Sequence, residues 1–69
     1  MFKVGDIVRG NPHYTNTTEV QQQSTALVVA IDSDLNQIYT LWWLSGPLGS
    51  TKRLYSGYQA RELELVSEA

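Results

Sequence analysis

Hydrophobic and polar residues alternate most strictly near the end of the chain, in Glu62-Leu63-Glu64-Leu65-Val66. A period of two places one set of side chains in water and the other in a core, so this segment predicts the last strand of a sheet. Near the start, the turn residues Gly5-Asp6 precede Ile7-Val8-Arg9, whose β-branched residues predict a first strand that reaches Gly10.

Three more segments of β-permissive residues lie between these ends. Residues 25–31 are apolar on both faces, so we expect a central strand that is covered on two sides or bent around a barrel. Residues 37–44 predict its hairpin partner across the polar turn of residues 32–36. Residues 51–55 predict a fourth strand after a turn at residues 45–50. Strict alternation divides the central strand into one face with Thr25, Leu27, Val29 and Ile31 and another with Ala26, Val28 and Ala30.

The segment from Asn11 to Ser24 is nearly all polar and predicts a long surface loop, anchored by Tyr14 and Val20. Residues 56–60 are too few for an α-helix and fit a single 3₁₀ turn that leads into the last strand. No helical period with caps is apparent, so the pattern as a whole predicts an all-β domain.

Composition narrows the class of protein. The 69 residues suffice for one domain, residues 1–69, and without cysteine its stability comes from hydrocarbon packing that includes two Trp, four Tyr and one Phe. A formal net charge of −2 disfavours non-specific binding to nucleic acid. The chain begins without a secretory signal and its longest apolar stretch, Ala26 to Ile31, is six residues, so we expect a cytoplasmic protein with no membrane span.

Four segments carry a resemblance that spans nearly the whole chain. They are Val4-Gly5-Asp6-Ile7-Val8, Leu27-Val28-Val29, Tyr39-Thr40-Leu41-Trp42-Trp43 and Glu62-Leu63-Glu64-Leu65-Val66. In this order they resemble the SH3-like small β-barrels, including the KOW and Tudor-like groups. The resemblance implies a five-stranded barrel with a long first loop and a short 3₁₀ turn before the last strand.

The same resemblance implies a range of functions. The family includes peptide binders, readers of methylated residues, nucleic-acid binders and many small bacterial and bacteriophage accessory proteins. This chain differs from the nucleic-acid binders in being acidic, and from the peptide-binding SH3 domains in lacking an acidic cluster in its first long loop. A phage-encoded member would act in the host cytoplasm.

Aromatic residues are the strongest indication of function. Trp42 and Trp43 are consecutive in a predicted strand, so they face opposite ways and one of them points out of the core. If Trp43 shares the core face with Tyr39 and Leu41, Trp42 projects outward with Ile38 and Thr40. The alternative is that the second indole packs under the long polar loop.

Further residues extend this predicted surface. Tyr55 or Tyr58 could form an aromatic cleft with Trp42, while Tyr14 in the long loop and Leu48 at a hairpin tip could touch a partner. A cage for a methylated lysine or arginine needs several rings and a carboxylate. The candidates are Tyr39, Trp42, Tyr55 and Tyr58 with Asp32 or Asp34, although four tyrosines are also expected as ordinary core and edge residues of a small β-protein.

No arrangement in the sequence is typical of catalysis. His13 is the one histidine and has no cysteine or second histidine with which to share a metal. Glu62 and Glu64 lie two apart but read as solvated residues of the last strand. We therefore expect no enzyme, no cofactor and no metal.

The sequence thus favours a non-enzymatic protein-binding module, a small phage or bacterial accessory or regulatory protein with an exposed aromatic surface. One alternative is nucleic-acid binding through Arg9, Lys52, Arg53 and Arg61, with rings stacking on bases. Another is self-assembly through the same apolar stripe into a homo-oligomer or a virion component.

Overall fold

The computed structural model describes residues 2–14, 17–32, 38–50 and 54–69. One antiparallel sheet of five strands dominates this part of the chain, in the spatial order β4-β3-β2-β1-β5. The all-β class is therefore confirmed, and β4 and β5 are the two edges of the sheet. The strands are β1 (Ile7–Gly10), β2 (Thr25–Asp32), β3 (Ile38–Ser45), β4 (Leu54–Gln59) and β5 (Leu63–Ser67).

Most strand predictions agree with the structure to within one or two residues. The exception is β4, which extends through residues 56–59, where the sequence predicted a 3₁₀ turn. That turn lies later, at Ala60–Glu62, directly before β5. The strand continues because Gly57 takes φ +103° and lets the backbone bulge while Tyr58 still pairs with Tyr39. A first 3₁₀ turn spans Pro47–Ser50 after β3.

The core lies on one face of the sheet, where alternate side chains of neighbouring strands meet. Two edge-to-face ring pairs contribute to it: Phe2 with Tyr39, whose centroids are 5.4 Å apart, and Trp43 with Tyr58, whose centroids are 5.9 Å apart. The buried residues of this core are Val8, Ala26, Val28, Tyr39, Leu41, Trp43 and Leu63.

An irregularity in β2 changes which residues face this core. The register between β2 and β3 shifts between Val28 and Ala30, after which Ile31 pairs with the buried Tyr39. Ile31 therefore packs against the core instead of sharing a face with Leu27, as strict alternation predicted. A bulge reverses the side-chain parity of the strand beyond it, so the prediction for Ile31 was wrong.

Part of the predicted long loop is a helix, α1 (Glu19–Gln22). Thr18 caps it: its Oγ1 accepts a hydrogen bond from the Gln21 N–H, and Gln21 Oε1 accepts one from the Thr18 N–H, at 3.2 and 2.8 Å. This reciprocal pair is a capping box, and it satisfies two backbone donors at the start of a single helical turn. The prediction that the chain has no capped helix was therefore wrong.

Ser24 links α1 to the first 3₁₀ turn, Pro47–Ser50. Its Oγ is buried, donates a hydrogen bond to the Val20 carbonyl at 2.8 Å and accepts one from the Leu48 N–H at 3.0 Å. Val20 itself is 43% exposed, so it does not anchor this segment as the sequence suggested. The close approach of α1 to β1 also requires a glycine at residue 10, since a Cβ on Gly10 would lie 2.7 Å from the Gln21 carbonyl carbon.

Asp6 joins the two ends of the described chain. It is 2% exposed, and its carboxylate accepts hydrogen bonds from the N–H groups of Lys3, at 2.8 Å, and Ala69, at 2.9 Å. The bonds from Ala69 and Lys3, helped by the Lys3 charge, hold the pKa of Asp6 below its ordinary value despite the opposing effect of burial. The charged form of Asp6 thus stabilises the contact between the first turn and the residues after β5.

Substitution of two glycines should separate backbone strain from steric clash. Gly46 and Gly57 both have positive φ, but a Cβ on Gly46 would lie 2.3 Å from the Gln23 carbonyl oxygen, whereas Gly57 has open space around it. We expect Gly57→Ala to cost about 1 kcal/mol of folding free energy and Gly46→Ala at least about 3 kcal/mol. Urea unfolding followed by circular dichroism measures both, and equal losses would contradict the predicted contact.

The stability contributed by Asp6 should depend on pH. Because the pKa of Asp6 is lower in the folded chain than in the unfolded one, this contribution is complete above about pH 4 and is lost as the pH falls through the folded value. Thermal unfolding between pH 7 and pH 2.5 should therefore show a smaller acid-induced loss in Asp6→Asn than in the wild type. Identical pH profiles would count against the role given to this carboxylate.

Candidate functional site

The face of the sheet opposite the core carries a continuous line of apolar side chains. The strand registers pair Ile7 with Leu27, Leu27 with Trp42, and Trp42 with Leu54, so these four residues lie side by side across β1, β2, β3 and β4. We call this set the apolar row. Three inter-strand spacings make it about 14 Å long.

Each member of the apolar row keeps exposed surface. Ile7, Leu27 and Trp42 are partly buried, while Leu54 is 59% exposed. The first three shield one another because cross-strand neighbours on one face are in contact distance. Leu54 lies at the edge strand, where shielding comes from one side only.

Hydroxyl pairs border the apolar row on both sides. Thr25 and Ser45 are hydrogen-bonded through their side-chain oxygens on one side. On the other, Thr40 Oγ1 donates to Ser56 Oγ at 3.3 Å. Each pair satisfies part of its own hydrogen-bonding capacity, which lowers the cost of covering it with a partner.

One ion pair lies beyond the first of these borders. Arg9 Nε is 3.2 Å from Glu64 Oε2, between β1 and β5, and both side chains are partly exposed. Arg9 pairs with Thr25 across the sheet and therefore shares the face of the apolar row. The two opposite charges balance, so this end of the face is close to neutral.

The predicted division of the two indoles is confirmed. Trp43 has no exposed surface and belongs to the core, whereas Trp42 keeps exposed surface on the opposite face. Among the described residues, no acceptor lies within hydrogen-bond distance of Trp43 Nε1. Its indole is thus held by packing, including the edge contact with the Tyr58 ring.

The predicted aromatic cleft is not formed. Tyr55 pairs with Leu41 and Tyr58 with Tyr39, so both tyrosines pack on the core side, opposite to Trp42. The Tyr58 hydroxyl oxygen accepts a hydrogen bond from Gln21 Nε2 at 3.2 Å, which ties it to α1. Tyr55 faces the core because the preceding residue, Leu54, pairs with Trp42. Tyr58 faces the core because the bulge at Gly57 shifts the register beyond Tyr55 and places Tyr58 opposite Tyr39.

Other predicted surface residues also lie elsewhere. Tyr39 is fully buried, and its hydroxyl accepts a hydrogen bond from the Phe2 N–H at 3.4 Å, so it cannot line a cage together with Trp42. Asp34, a candidate carboxylate for that cage, is outside the described residues. Leu48 is not at an exposed tip but lies in the first 3₁₀ turn against the core. The Arg61 guanidinium lies over the ring of Tyr14, with Arg61 Cζ 5.4 Å from the centroid of that ring.

The basic residues predicted for nucleic-acid binding do not form one described patch. Arg9 is paired with Glu64, and Arg61 stacks on Tyr14 while its carbonyl accepts a hydrogen bond from Asn11 Nδ2 at 3.1 Å. Lys52 and Arg53 are outside the described residues.

Sequence reasoning identified Trp42 but missed its three neighbours in the apolar row. Leu27 was assigned to a face of the central strand, yet its position beside Trp42 depends on the register between two strands. Ile7 and Leu54 lie on strands that do not touch each other, so only the complete sheet brings them into one row. The alternation of Ile7 with Val8 was the one available indication that Ile7 faces away from the core.

The described residues contain no group of three or more His, Cys, Asp or Glu side chains that could hold a metal ion. No helix in this part of the chain has the length and apolar character needed to span a membrane.

Comparison of the chain with models of known protein families, with curated proteins and with solved structures finds no match.

Fluorescence quenching should distinguish the two indoles. Trp43→Phe leaves Trp42 as the one indole, and Trp42→Phe leaves Trp43. We expect acrylamide to quench native Trp43→Phe several-fold more strongly than native Trp42→Phe, because only Trp42 has exposed surface. In concentrated urea both variants should be quenched alike, and equal quenching of the native forms would contradict the assigned faces.

Proposed function

We propose that this chain is a non-enzymatic protein-binding module of the SH3-like barrel type and that the apolar row is its contact surface. The barrel proposal is supported by five antiparallel strands, a long first connection and a 3₁₀ turn directly before β5. These are the features that the sequence resemblance implies. In such a barrel the two edge strands would curve toward each other around the core.

The observation that carries the binding proposal is the accessible apolar row centred on Trp42. Monomeric proteins seldom leave a contiguous apolar patch in water without a use for it, and large patches of this kind mark sites of protein contact. Trp is among the residues that contribute most to binding energy when a partner covers them. Leu54, with 59% of its surface exposed, gives the row a second anchor at its open end.

The borders of the row suit a protein partner better than a nucleic acid. Binding to phosphates needs unpaired Lys or Arg side chains close to the aromatic surface. Among the described residues of this face, Arg9 is already neutralised by Glu64, and hydroxyl pairs flank the row on either side. An apolar centre with an uncharged polar rim is the usual anatomy of a protein interface.

Site-specific photo-cross-linking tests the proposal. A benzophenone amino acid replaces Leu54 on the row or, as a control, Val20 on α1, which is also exposed but lies on another element. In the source cells we expect Leu54 to cross-link to a defined protein and Val20 to leave it unlabelled. Mass spectrometry identifies the partner, which is then purified.

Calorimetry with the purified partner measures how much Trp42 contributes to the binding free energy. Trp42→Ala should weaken binding by about 2 kcal/mol or more, roughly thirty-fold in the dissociation constant, while the circular dichroism spectrum is retained. Val20→Ala should bind as the wild type does. If Trp42→Ala binds with unchanged affinity, or if both positions cross-link to the same proteins, the apolar row is not the contact surface.

A further inference from the structure

Building on the proposed function, we infer that the partner covering the apolar row is a second copy of this chain, with the two sheets packed face to face. The two copies would be related by a two-fold axis that runs along the strands between β2 and β3. Such an interface uses the same patch on both molecules, so the patch has to complement itself in charge and in shape.

Charge complementarity favours a second copy. The chain has a formal net charge of −2, yet the side chains of the apolar row and of its two hydroxyl borders carry no charge. Arg9 and Glu64, at the end of the same face, neutralise each other within one molecule. Asp32 lies at the other end of this face, paired with Ile38 beyond the Thr40 border. Within the row and its borders two such faces can therefore meet without burying a charge, whereas a partner with a charged anchor would find no counter-charge there.

The order of residue sizes along the row favours the proposed axis. Rotation about an axis between β2 and β3 reverses the order of the strands, so Trp42 of each copy lies over Leu27 of the other, and Leu54 over Ile7. Each large ring then meets a smaller side chain, and the sheets keep an even separation of about 10 Å. A two-fold axis perpendicular to the strands would instead keep the strand order. The two Trp42 indoles would then stack on each other and leave a gap between the two Leu27 side chains.

The border formed by Thr25 and Ser45 also matches under this rotation. The axis places Thr25 of one copy opposite Ser45 of the other, because these two residues are partners on β2 and β3. Their hydroxyls are already hydrogen-bonded within each molecule and can share bonds across the interface. This border therefore adds polar contacts without burying a charge. The axis places Thr40 of each copy over Ala30 of the other, and the Thr40 hydroxyl keeps its bond to Ser56 within its own molecule.

The available area sets the expected strength of the dimer. Stable interfaces bury about 800 Å² on each partner, which is roughly a fifth of the 4341 Å² surface of this chain. The four side chains of the row expose less than that, because three of them are already partly buried within one molecule. We therefore expect a dissociation constant in the micromolar range.

Sedimentation equilibrium from about 1 to 500 µM tests the inference. The wild type should change from monomer to dimer over this range. Leu54→Glu should weaken the dimer at least ten-fold, because the new charge would face Ile7 of the other copy. Val20→Glu is the matched control: it adds the same charge at an exposed apolar residue in the first turn of α1, and it should dimerise like the wild type.

A mixing experiment tests the order of the residues. Ile7→Lys alone should also weaken the dimer at least ten-fold, but an equimolar mixture of Ile7→Lys and Leu54→Glu should form a heterodimer more tightly than either variant dimerises by itself, since the two new charges would meet. A wild type that stays monomeric to 500 µM, a dimer insensitive to Leu54→Glu, or a mixture that fails to associate would overturn the inference. A monomeric chain whose Leu54 position still cross-links to another protein would leave the proposed function intact.

Discussion

Pairing of β3 with a strand on each side decides which face of the sheet each aromatic residue of β3 and β4 occupies. Leu27 on β2 and Leu54 on β4 flank Trp42 on one face, while Trp43 lies on the other face among core residues. A shift of one residue in this pairing would exchange the two faces, burying what is now exposed and exposing the core indole. The core and the exposed apolar row are therefore two results of one register.

Much of this arrangement is readable from the sequence because alternation is a local property. The positions of β1, β2, β3 and β5 follow from runs of β-branched and apolar residues between turn signals. The bulges cannot be predicted from these runs, because they depend on how a strand pairs with its neighbour. Ile31 faces the core because the register between β2 and β3 shifts by one residue near Val29. The single turn of α1 was missed because four residues carry no period, although Thr18 and Gln21 have the spacing of a capping box.

The candidate site shows the same division between local and non-local information. The outward orientation of Trp42 was predictable, since Trp43 is its direct neighbour and one of the two has to leave the core. The orientation of Tyr55 and Tyr58 was not, because it depends on how the bulged β4 pairs with β3. Leu54 is an ordinary residue in the sequence and becomes notable only when the sheet sets it beside Trp42.

The bulged edge of β4 has a consequence for how copies of this chain can associate. A regular edge strand offers an even ladder of N–H and C=O groups, which invites further chains to add on without limit and leads to fibrils. At Gly57 the backbone takes φ +103°, and the spacing of these groups is interrupted in the middle of the strand. Addition of further chains along the β4 edge is thereby discouraged.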